Sequence, residues 1–249
     1  MCTSSIRCFR RFHIPARSIH CRTVSRLAVI FICSRSENEL KSASADIAAE
    51  GGGRVEWLPV DMTDPQQVEA LGKEALARMG RIDVLVNNAG SNIPQPIDEI
   101  TDDAWSRILE LNLTSIMRLT RMLVPQMKAR KWGRIIHISS ILGLSGLAGR
   151  NIYCSTKSAL IGLARASAVD LGSFGITVNC IAPGPFLTDL TATMLSEDQR
   201  RAFAERTVLG RWARPDELAG PALLLATEAG SYITGSTLLV DGGVLARVM

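Results

Sequence analysis

Short apolar runs alternate with amphipathic segments along most of the chain, and the apolar runs end in polar or glycine residues. Six runs have the length of strands, at 27–33, 55–60, 82–86, 133–138, 179–183 and 237–240. Segments with helical patterns lie between them, at 37–50, 65–79, 102–112, 153–171 and 217–226. Alternation of strands and helices is typical of a parallel sheet covered on both faces. We therefore predict a single α/β domain with a doubly wound, mainly parallel sheet.

Polar residues and glycine follow three of these predicted strands. The segment 87–90 follows one run, Ser140 follows the next, and Pro183-Gly184 ends a third. Open α/β sheets bind their ligands outside the carboxyl ends of the strands, where a serine hydroxyl can hydrogen-bond a carbonyl or an alcohol. The three strand ends therefore predict one binding site.

Tyr153 and Lys157 stand about one helical turn apart in the segment that follows Ser140. Residues four positions apart share one face of a helix, so their side chains can meet. A phenol ordinarily keeps its proton up to a pH of about 10, and a neighbouring ammonium group lowers that pKa. The tyrosine could then exchange a proton with a substrate near neutral pH. This spacing also occurs by chance in many helices, so its interpretation depends on the neighbouring strand ends.

Several short motifs accompany this pair: NNAG at 87–90, LELNLTS around Asn112, ISS at 138–140, PG at 183–184 and VDGG at 240–243. With these motifs, the chain resembles the short-chain dehydrogenase/reductase family from about residue 27 to its C-terminus. The resemblance implies a Rossmann-like fold. It also implies an NAD(P)-dependent oxidoreductase that interconverts a secondary alcohol and a ketone by hydride transfer.

The resemblance implies four catalytic residues. Tyr153 exchanges a proton with the substrate oxygen, and Lys157 lowers the pKa of the tyrosine and binds the nicotinamide ribose. Ser140 orients and polarises the substrate oxygen. Asn112 holds a water that connects Lys157 to solvent, a role that would explain an asparagine inside a helix, where this residue is locally unfavourable.

The resemblance further implies which residues bind the cofactor. An arginine after the family's second strand can pair with an adenosine 2′-phosphate, so Arg35 favours NADP(H) over NAD(H). Asp61 is expected to accept a hydrogen bond from the adenine amino group. The other expected contacts belong to strand ends or to the helix of the tyrosine: Met62, Asn88, Tyr153, Lys157, Pro183, Gly184, Phe186 and Thr188.

Residues 1–26 do not resemble the start of this family. The family's TGxxxGxG turn lets backbone N–H groups approach the pyrophosphate, but here Gly51 is the first glycine of the chain. We therefore divide the chain into an atypical segment rich in arginine and cysteine, 1–26, and a family domain, 27–249. Three interpretations of the segment stay open: a targeting peptide, a divergent cofactor loop, or a displaced gene start or frame disturbance, which we favour.

The basic character of the chain is confined to its opening. Residues 1–36 contain seven arginines and no lysine or acidic residue, so the formal charge of +4 for the whole chain leaves −3 for the remainder. This distribution argues against nucleic-acid binding by the domain. No apolar run approaches the roughly 20 residues of a membrane helix. The cysteines show no CxxC spacing, so we predict no metal site and a reducing, cytoplasmic location.

The expected substrate is a small-molecule alcohol or ketone whose identity stays open. PGPFLT at 183–188, GRW at 210–212 and the VDGG motif are most similar to the gluconate 5-dehydrogenase branch. Many 3-oxoacyl-carrier-protein reductases share a similar pattern, so their reaction is an alternative. The family usually forms homodimers or homotetramers, which we expect here. A further alternative is a non-catalytic protein that keeps the fold but cannot hold a dinucleotide, because the glycine-rich turn is missing.

Overall fold

The computed structural model describes residues 6–9, 29–49, 53–187 and 196–247, which contain a seven-stranded sheet with helices on both faces. In chain order the strands are β1 (Ile6–Phe9), β2 (Ile30–Ser34), β3 (Val55–Pro59), β4 (Val84–Asn87), β5 (Gly133–Ile138), β6 (Ile176–Pro183) and β7 (Thr237–Val240). In space their order is β3-β2-β1-β4-β5-β6-β7. Every pairing that does not involve β1 is parallel, which confirms the predicted mainly parallel sheet.

The helices of the described ranges are α1 (Glu37–Ala49), α2 (Pro65–Met79), α3 (Asp102–Leu109), α4 (Ser115–Arg130), α5 (Asn151–Leu171), α6 (Glu197–Glu205) and α7 (Ala219–Ala226). Local signals set several of their ends. The carboxylate of Asp64 accepts hydrogen bonds from the N–H groups of Gln66 and Gln67 and caps α2. Pro221 lies in the first turn of α7. Backbone N–H groups of a first turn make no hydrogen bond within the helix, so proline is tolerated there.

Apolar side chains bury both faces of the sheet. On one face, residues of β2, β4, β5 and β6 form a buried cluster with α2, α4 and α5. On the other face, Ile30 and Ile32 pack against α1, and Ile136 and Ile181 pack against α7. Successive side chains of a strand point to opposite faces, so burial on both sides explains why the central strands have continuous apolar sequences.

The first strand occupies the central place in the sheet but runs in the opposite direction to its neighbours. Phe9 lies opposite Ile30 and Val84, the first residues of β2 and β4, whereas Ile6 lies opposite Cys33 near the end of β2. The chain therefore leaves β1 at the edge of the sheet where the parallel strands begin. Antiparallel pairing also provides hydrogen-bond partners for β2 and β4, so the sheet stays continuous.

Two predictions concern boundaries and spans. The predicted strand 27–33 corresponds to β2, which begins at Ile30, and the first two residues of the prediction, 27 and 28, lie outside the described residues. The predicted division of the chain at residue 26 also falls outside the described residues, so it stays a prediction. The strand Ile6–Phe9, which belongs to the atypical segment, is nevertheless part of the sheet. Within the described ranges, the longest helices are too short or too polar to cross a membrane.

Candidate active site

Tyr153 and Lys157 lie side by side near the start of α5, at the edge of the sheet where the parallel strands end. The Lys157 ammonium is 5.5 Å from the centre of the Tyr153 ring. Lys157 is 3% exposed, and its ammonium donates a hydrogen bond of 2.7 Å to the Ile138 carbonyl at the end of β5. Water therefore screens this positive charge only weakly.

Ser140 follows β5 and is nearly buried. Its hydroxyl oxygen accepts the Leu142 N–H at 3.1 Å and caps the short 3-10 helix Ile141–Gly143. The neighbouring Ser139 hydroxyl donates to the Lys157 carbonyl at 2.8 Å. These bonds fix the end of β5 against α5. The Ser140 hydroxyl accepts the hydrogen bond from Leu142, so the hydroxyl proton remains available for donation to a ligand.

Asn112 lies at the centre of a π-helical turn, Glu110–Thr114, which joins α3 to α4. The sequence predicted one helix through Asn112, but the structure has a wider turn there, which shifts the direction of the side chains that follow. Asn112 is fully buried. Its carbonyl oxygen accepts the Ser91 N–H at 2.8 Å, and its amide nitrogen donates to the Ser91 carbonyl at 2.9 Å and the Thr156 hydroxyl at 3.0 Å.

Thr156 and Gly90 connect these groups. The Thr156 hydroxyl donates to the Tyr153 carbonyl at 2.9 Å, which links Asn112 to α5. A Cβ atom added to Gly90 would lie 3.2 Å from the Lys157 ammonium and 3.4 Å from the Asn112 carbonyl oxygen, so both groups approach this glycine closely. The structure thus brings the four predicted catalytic residues to the junction of β5, the π turn and α5. We call this set the Tyr153 cluster: Asn112, Ser140, Tyr153 and Lys157.

A buried polar pair links β4 and β5. Asn87 Nδ2 is 3.0 Å from His137 Nδ1 and donates to the Thr120 hydroxyl at 3.3 Å. Burial, and secondarily the charge of Lys157, lowers the pKa of His137 from 6.5 to about 4, so the ring is neutral at pH 7. His137 is fully buried within the sheet, as expected of a packing residue. Asn88, the next predicted cofactor contact, is half-buried.

A second group of predicted residues meets in a cavity of about 280 Å³ beside the end of β2, which we call the β2 cavity. The cavity lies between the ends of β2 and β3, the loop after β4 and the α3 region. Its lining comprises Arg35, Val60, Asp61, Met62, Thr63, Ser91, Ile93, Arg107, Ile108 and Leu111.

Asp61 is the acidic group of the β2 cavity. Its Oδ1 atom accepts both the backbone N–H and the hydroxyl of Thr63, each at 2.8 Å. Partial burial acts to raise the pKa of Asp61. The Thr63 hydrogen bonds and the charges of Arg35 and Arg107 outweigh that effect and hold the pKa below its usual value. The carboxylate is therefore ionised at pH 7 and faces the field of two guanidinium groups.

The remaining predicted contacts follow β6. Pro183 ends this strand, and a Cβ atom added to Gly184 would lie 2.7 Å from the backbone of the VDGG motif. Gly184 therefore permits a close approach between two chain segments at the edge of the sheet. Phe186 forms an isolated β-bridge with Ala213. Thr188 lies outside the described residues.

Sequence reasoning missed two residues of this region. Arg107 is exposed and follows other polar residues of α3, and only the fold brings it to the β2 cavity. Asn92 follows Ser91, and both polar atoms of its side chain are buried without a hydrogen-bond partner among the described residues. Nothing in a single sequence distinguishes either residue from its polar neighbours.

A doubly wound sheet with a Tyr-Lys pair and a serine at its carboxyl edge is the arrangement that the resemblance implies. The chain belongs to the short-chain dehydrogenase/reductase family: a model of this family, described as enoyl-(acyl carrier protein) reductase, matches residues 17–245. The protein is therefore an NAD(P)-dependent oxidoreductase of the short-chain class.

Individual relatives represent both substrate classes that the sequence suggested. The 3-oxoacyl-(acyl-carrier-protein) reductase FabG of Salmonella typhimurium is 38% identical over 228 residues, which are 92% of this chain and 91% of that protein. Nodulation protein G of a Rhizobium species is 37% identical over 198 residues, 80% of each chain. Among solved structures, a gluconate 5-dehydrogenase of Burkholderia cenocepacia in complex with NADP and tartrate has a TM-score of 0.81 and 33% identity, covering 88% of this chain and 86% of that one.

Proposed function

We propose that this oxidoreductase reduces a ketone to a secondary alcohol, and catalyses the reverse oxidation, through the Tyr153 cluster. The observation that carries the proposal is the buried Lys157 ammonium beside the Tyr153 ring, 5.5 Å from its centre. A poorly screened cation favours the phenolate form of a neighbouring tyrosine and so eases release of its proton. The chain has one other tyrosine, Tyr232, and that side chain is fully exposed.

Tyr153 is the general acid of the reduction. Its phenolic O–H donates the proton to the substrate oxygen, and in the oxidation the phenolate takes that proton from the alcohol. The Ser140 hydroxyl donates a hydrogen bond to the same oxygen and fixes its position, because the end of β5 is tied to α5. The bound nicotinamide supplies or accepts the hydride.

Asn112 would hold a water through which Tyr153 regains its proton from solvent. Its carbonyl oxygen uses one lone pair for the Ser91 N–H and has a second available. A water held there is close to Lys157, because both groups lie against Gly90. Protons pass from solvent through this water to Lys157 and on to the tyrosine.

NADP(H) suits the β2 cavity better than NAD(H). Arg35 and Arg107 carry two positive charges against the single negative charge of Asp61, so the cavity attracts an anion such as the adenosine 2′-phosphate. Asp61 would accept a hydrogen bond from the adenine amino group beside Met62. The Burkholderia structure contains NADP, which supports this preference.

The other half of the cofactor lies along the ends of β4 and β6 and the start of α5. Lys157 binds the nicotinamide ribose from α5, and backbone groups near Phe186 hold the carboxamide. The full set of proposed contacts to this half is Asn88, Tyr153, Lys157, Pro183, Gly184, Phe186 and Thr188.

Polyhydroxy acids of the gluconate type and 3-oxoacyl thioesters are the two substrate classes to compare. The first is supported by the Burkholderia dehydrogenase and the GRW segment, in which Arg211 bonds Glu217 through both nitrogens at 2.7 and 2.8 Å. The second is supported by the Salmonella reductase. NADPH oxidation by the purified full chain at high NADPH concentration, with 5-ketogluconate and with a 3-oxoacyl thioester, separates them. A folded protein that oxidises no NADPH with any ketone of a broad panel would contradict the proposed function.

We further propose that the protein forms a homodimer or homotetramer in the cytoplasm. Val169 on α5 is 84% exposed, and Tyr232 and Leu239 near β7 are also exposed, so apolar area is available for a second copy. The free thiols of Cys154 and Cys180 are compatible with a reducing compartment. Light scattering during size-exclusion chromatography measures the number of copies, and a monomer at micromolar concentration would contradict this assembly.

A further inference from the structure

The direction of β1 matters because dinucleotide-binding sheets hold the pyrophosphate at one particular turn. That turn follows the central strand at its carboxyl end, and its backbone N–H groups, with the N-terminus of the next helix, face the phosphates. A parallel central strand delivers this turn to the same edge as the other strand ends. The ligand can then contact all of them at once.

In this chain the central strand ends at the opposite edge. Phe9, the last residue of β1, pairs with Ile30 and Val84, which are the first residues of β2 and β4. Asn87, Ser140 and the β2 cavity lie at the other edge, where the parallel strands end. Four residues of strand span roughly 13 Å. The last residue of β1 therefore lies well away from any phosphate that joins the two halves of a bound cofactor.

The composition of the connection between β1 and β2 is an independent observation. Residues 10–29 contain no glycine and five arginines. A tight phosphate-binding turn needs glycine where the backbone adopts positive φ angles or approaches the pyrophosphate within hydrogen-bond distance. The direction of β1 and the composition of the segment after it therefore both argue against a phosphate-binding turn directly after this strand.

We propose that no pyrophosphate-binding turn directly follows β1 at the edge where the parallel strands end, so that the described residues hold the dinucleotide by its two ends. The β2 cavity binds the adenosine end, and the Tyr153 cluster binds the nicotinamide end. The proposal rests on the proposed function in that the cofactor is NADP(H). Its consequence is a split between binding and chemistry: the Kd and KM for NADPH are high, while kcat at saturating NADPH is retained.

A graft at the start of the chain tests this split. Residues 1–28 are replaced by the family's parallel strand, TGxxxGxG turn and helix, and NADPH binding is followed by fluorescence titration of the full chain and of the graft. We expect the graft to bind NADPH about 100-fold more tightly, since several charge-assisted hydrogen bonds are gained. The kcat at saturating NADPH should change less than about threefold. A Kd of the unaltered chain within threefold of the graft's would overturn the proposal.

A second measurement needs only the unaltered chain. A reduced dinucleotide analogue with a neutral linker in place of the pyrophosphate should bind within about threefold of NADPH, because the described residues hold the cofactor by its two ends. A loss of tenfold or more would show that part of this chain does bind them, and the proposal would be wrong.

The outcomes separate this inference from the proposed function. A graft that binds NADPH tightly but reduces no ketone contradicts the proposed function and leaves the inference standing. Tight NADPH binding by the unaltered chain contradicts the inference whatever the activity is.

Discussion

The Tyr153 cluster and the β2 cavity hold their residues in different ways. Asn112 and Lys157 are buried and bonded to the backbone of β5 and of the loop after β4. Arg35, in contrast, is exposed, and Asp61 takes its hydrogen bonds from Thr63 two residues away. Changes in the cluster should therefore affect chemistry and folding together. Changes in the cavity should affect cofactor binding alone.

The largest expected effect is the loss of the proposed general acid. Tyr153→Phe removes the phenolic proton and keeps the ring, so kcat should fall about 1,000-fold, within the range for a positioned acid or base. NADPH oxidation with a ketone substrate measures it. Tyr232→Phe is the matched control, because Tyr232 is the only other tyrosine and is fully exposed. Equal kcat values for the two variants would remove Tyr153 from the mechanism.

Asn112 should affect stability as well as activity. Asn112→Leu leaves the N–H and carbonyl of Ser91 without their side-chain partner at a partly buried site, which should lower the free energy of unfolding by about 3 kcal/mol. Urea unfolding measures the change. Asn38→Leu, at an exposed position of α1, is the control and should stay within about 0.5 kcal/mol of the original chain. Full stability of Asn112→Leu would mean that the π turn does not depend on this amide.

His137 should make the buried layer beneath the Tyr153 cluster sensitive to acid. The pKa is lowered to about 4 in the folded state, against 6.5 for a solvated histidine. As the pH falls from 6.5 towards 4, His137 binds a proton in the unfolded chain but stays neutral in the folded chain. The free energy of unfolding should therefore fall by roughly 3 kcal/mol. Above pH 6.5 this group contributes no pH dependence.

Unfolding of the original chain and of His137→Gln at several pH values tests this prediction. The glutamine does not titrate, so the difference in slope between the two proteins isolates the histidine from the carboxylates that also titrate in this range. Parallel slopes between pH 6.5 and 4 would show that His137 is protonated in the folded protein.

The smallest effect is expected in the β2 cavity. Arg35→Ala should raise the Kd for NADPH about tenfold and leave the Kd for NADH nearly unchanged, since only NADPH carries the 2′-phosphate. Fluorescence titration with both cofactors measures the ratio. Arg54→Ala removes an exposed arginine beside β3 and is the control. An equal loss for NADH would mean that Arg35 supports the cavity without contacting the 2′-phosphate.

Local patterns predicted where Tyr153, Lys157 and Ser140 lie in the fold. The spacing of Tyr153 and Lys157 fixes their shared helix face, and the end of the apolar run at 133–138 locates Ser140 at the edge of the sheet. The Asp64 cap likewise follows from residues next to one another in sequence. Each of these features depends on backbone geometry within one or two turns, which neighbouring residues determine.

The sequence by itself determined the α/β class, most of the helices and strands, and the shared helix face of Tyr153 and Lys157, because hydrophobic period, side-chain spacing and capping act over short distances. Only the tertiary structure decided the direction of β1, the π turn at Asn112 and the approach of Arg107 to the β2 cavity. An apolar strand can pair in either direction, since its backbone donors and acceptors find partners both ways. The direction of β1 is therefore set by distant parts of the chain. That direction in turn decides at which edge of the sheet a cofactor-binding turn can follow the strand.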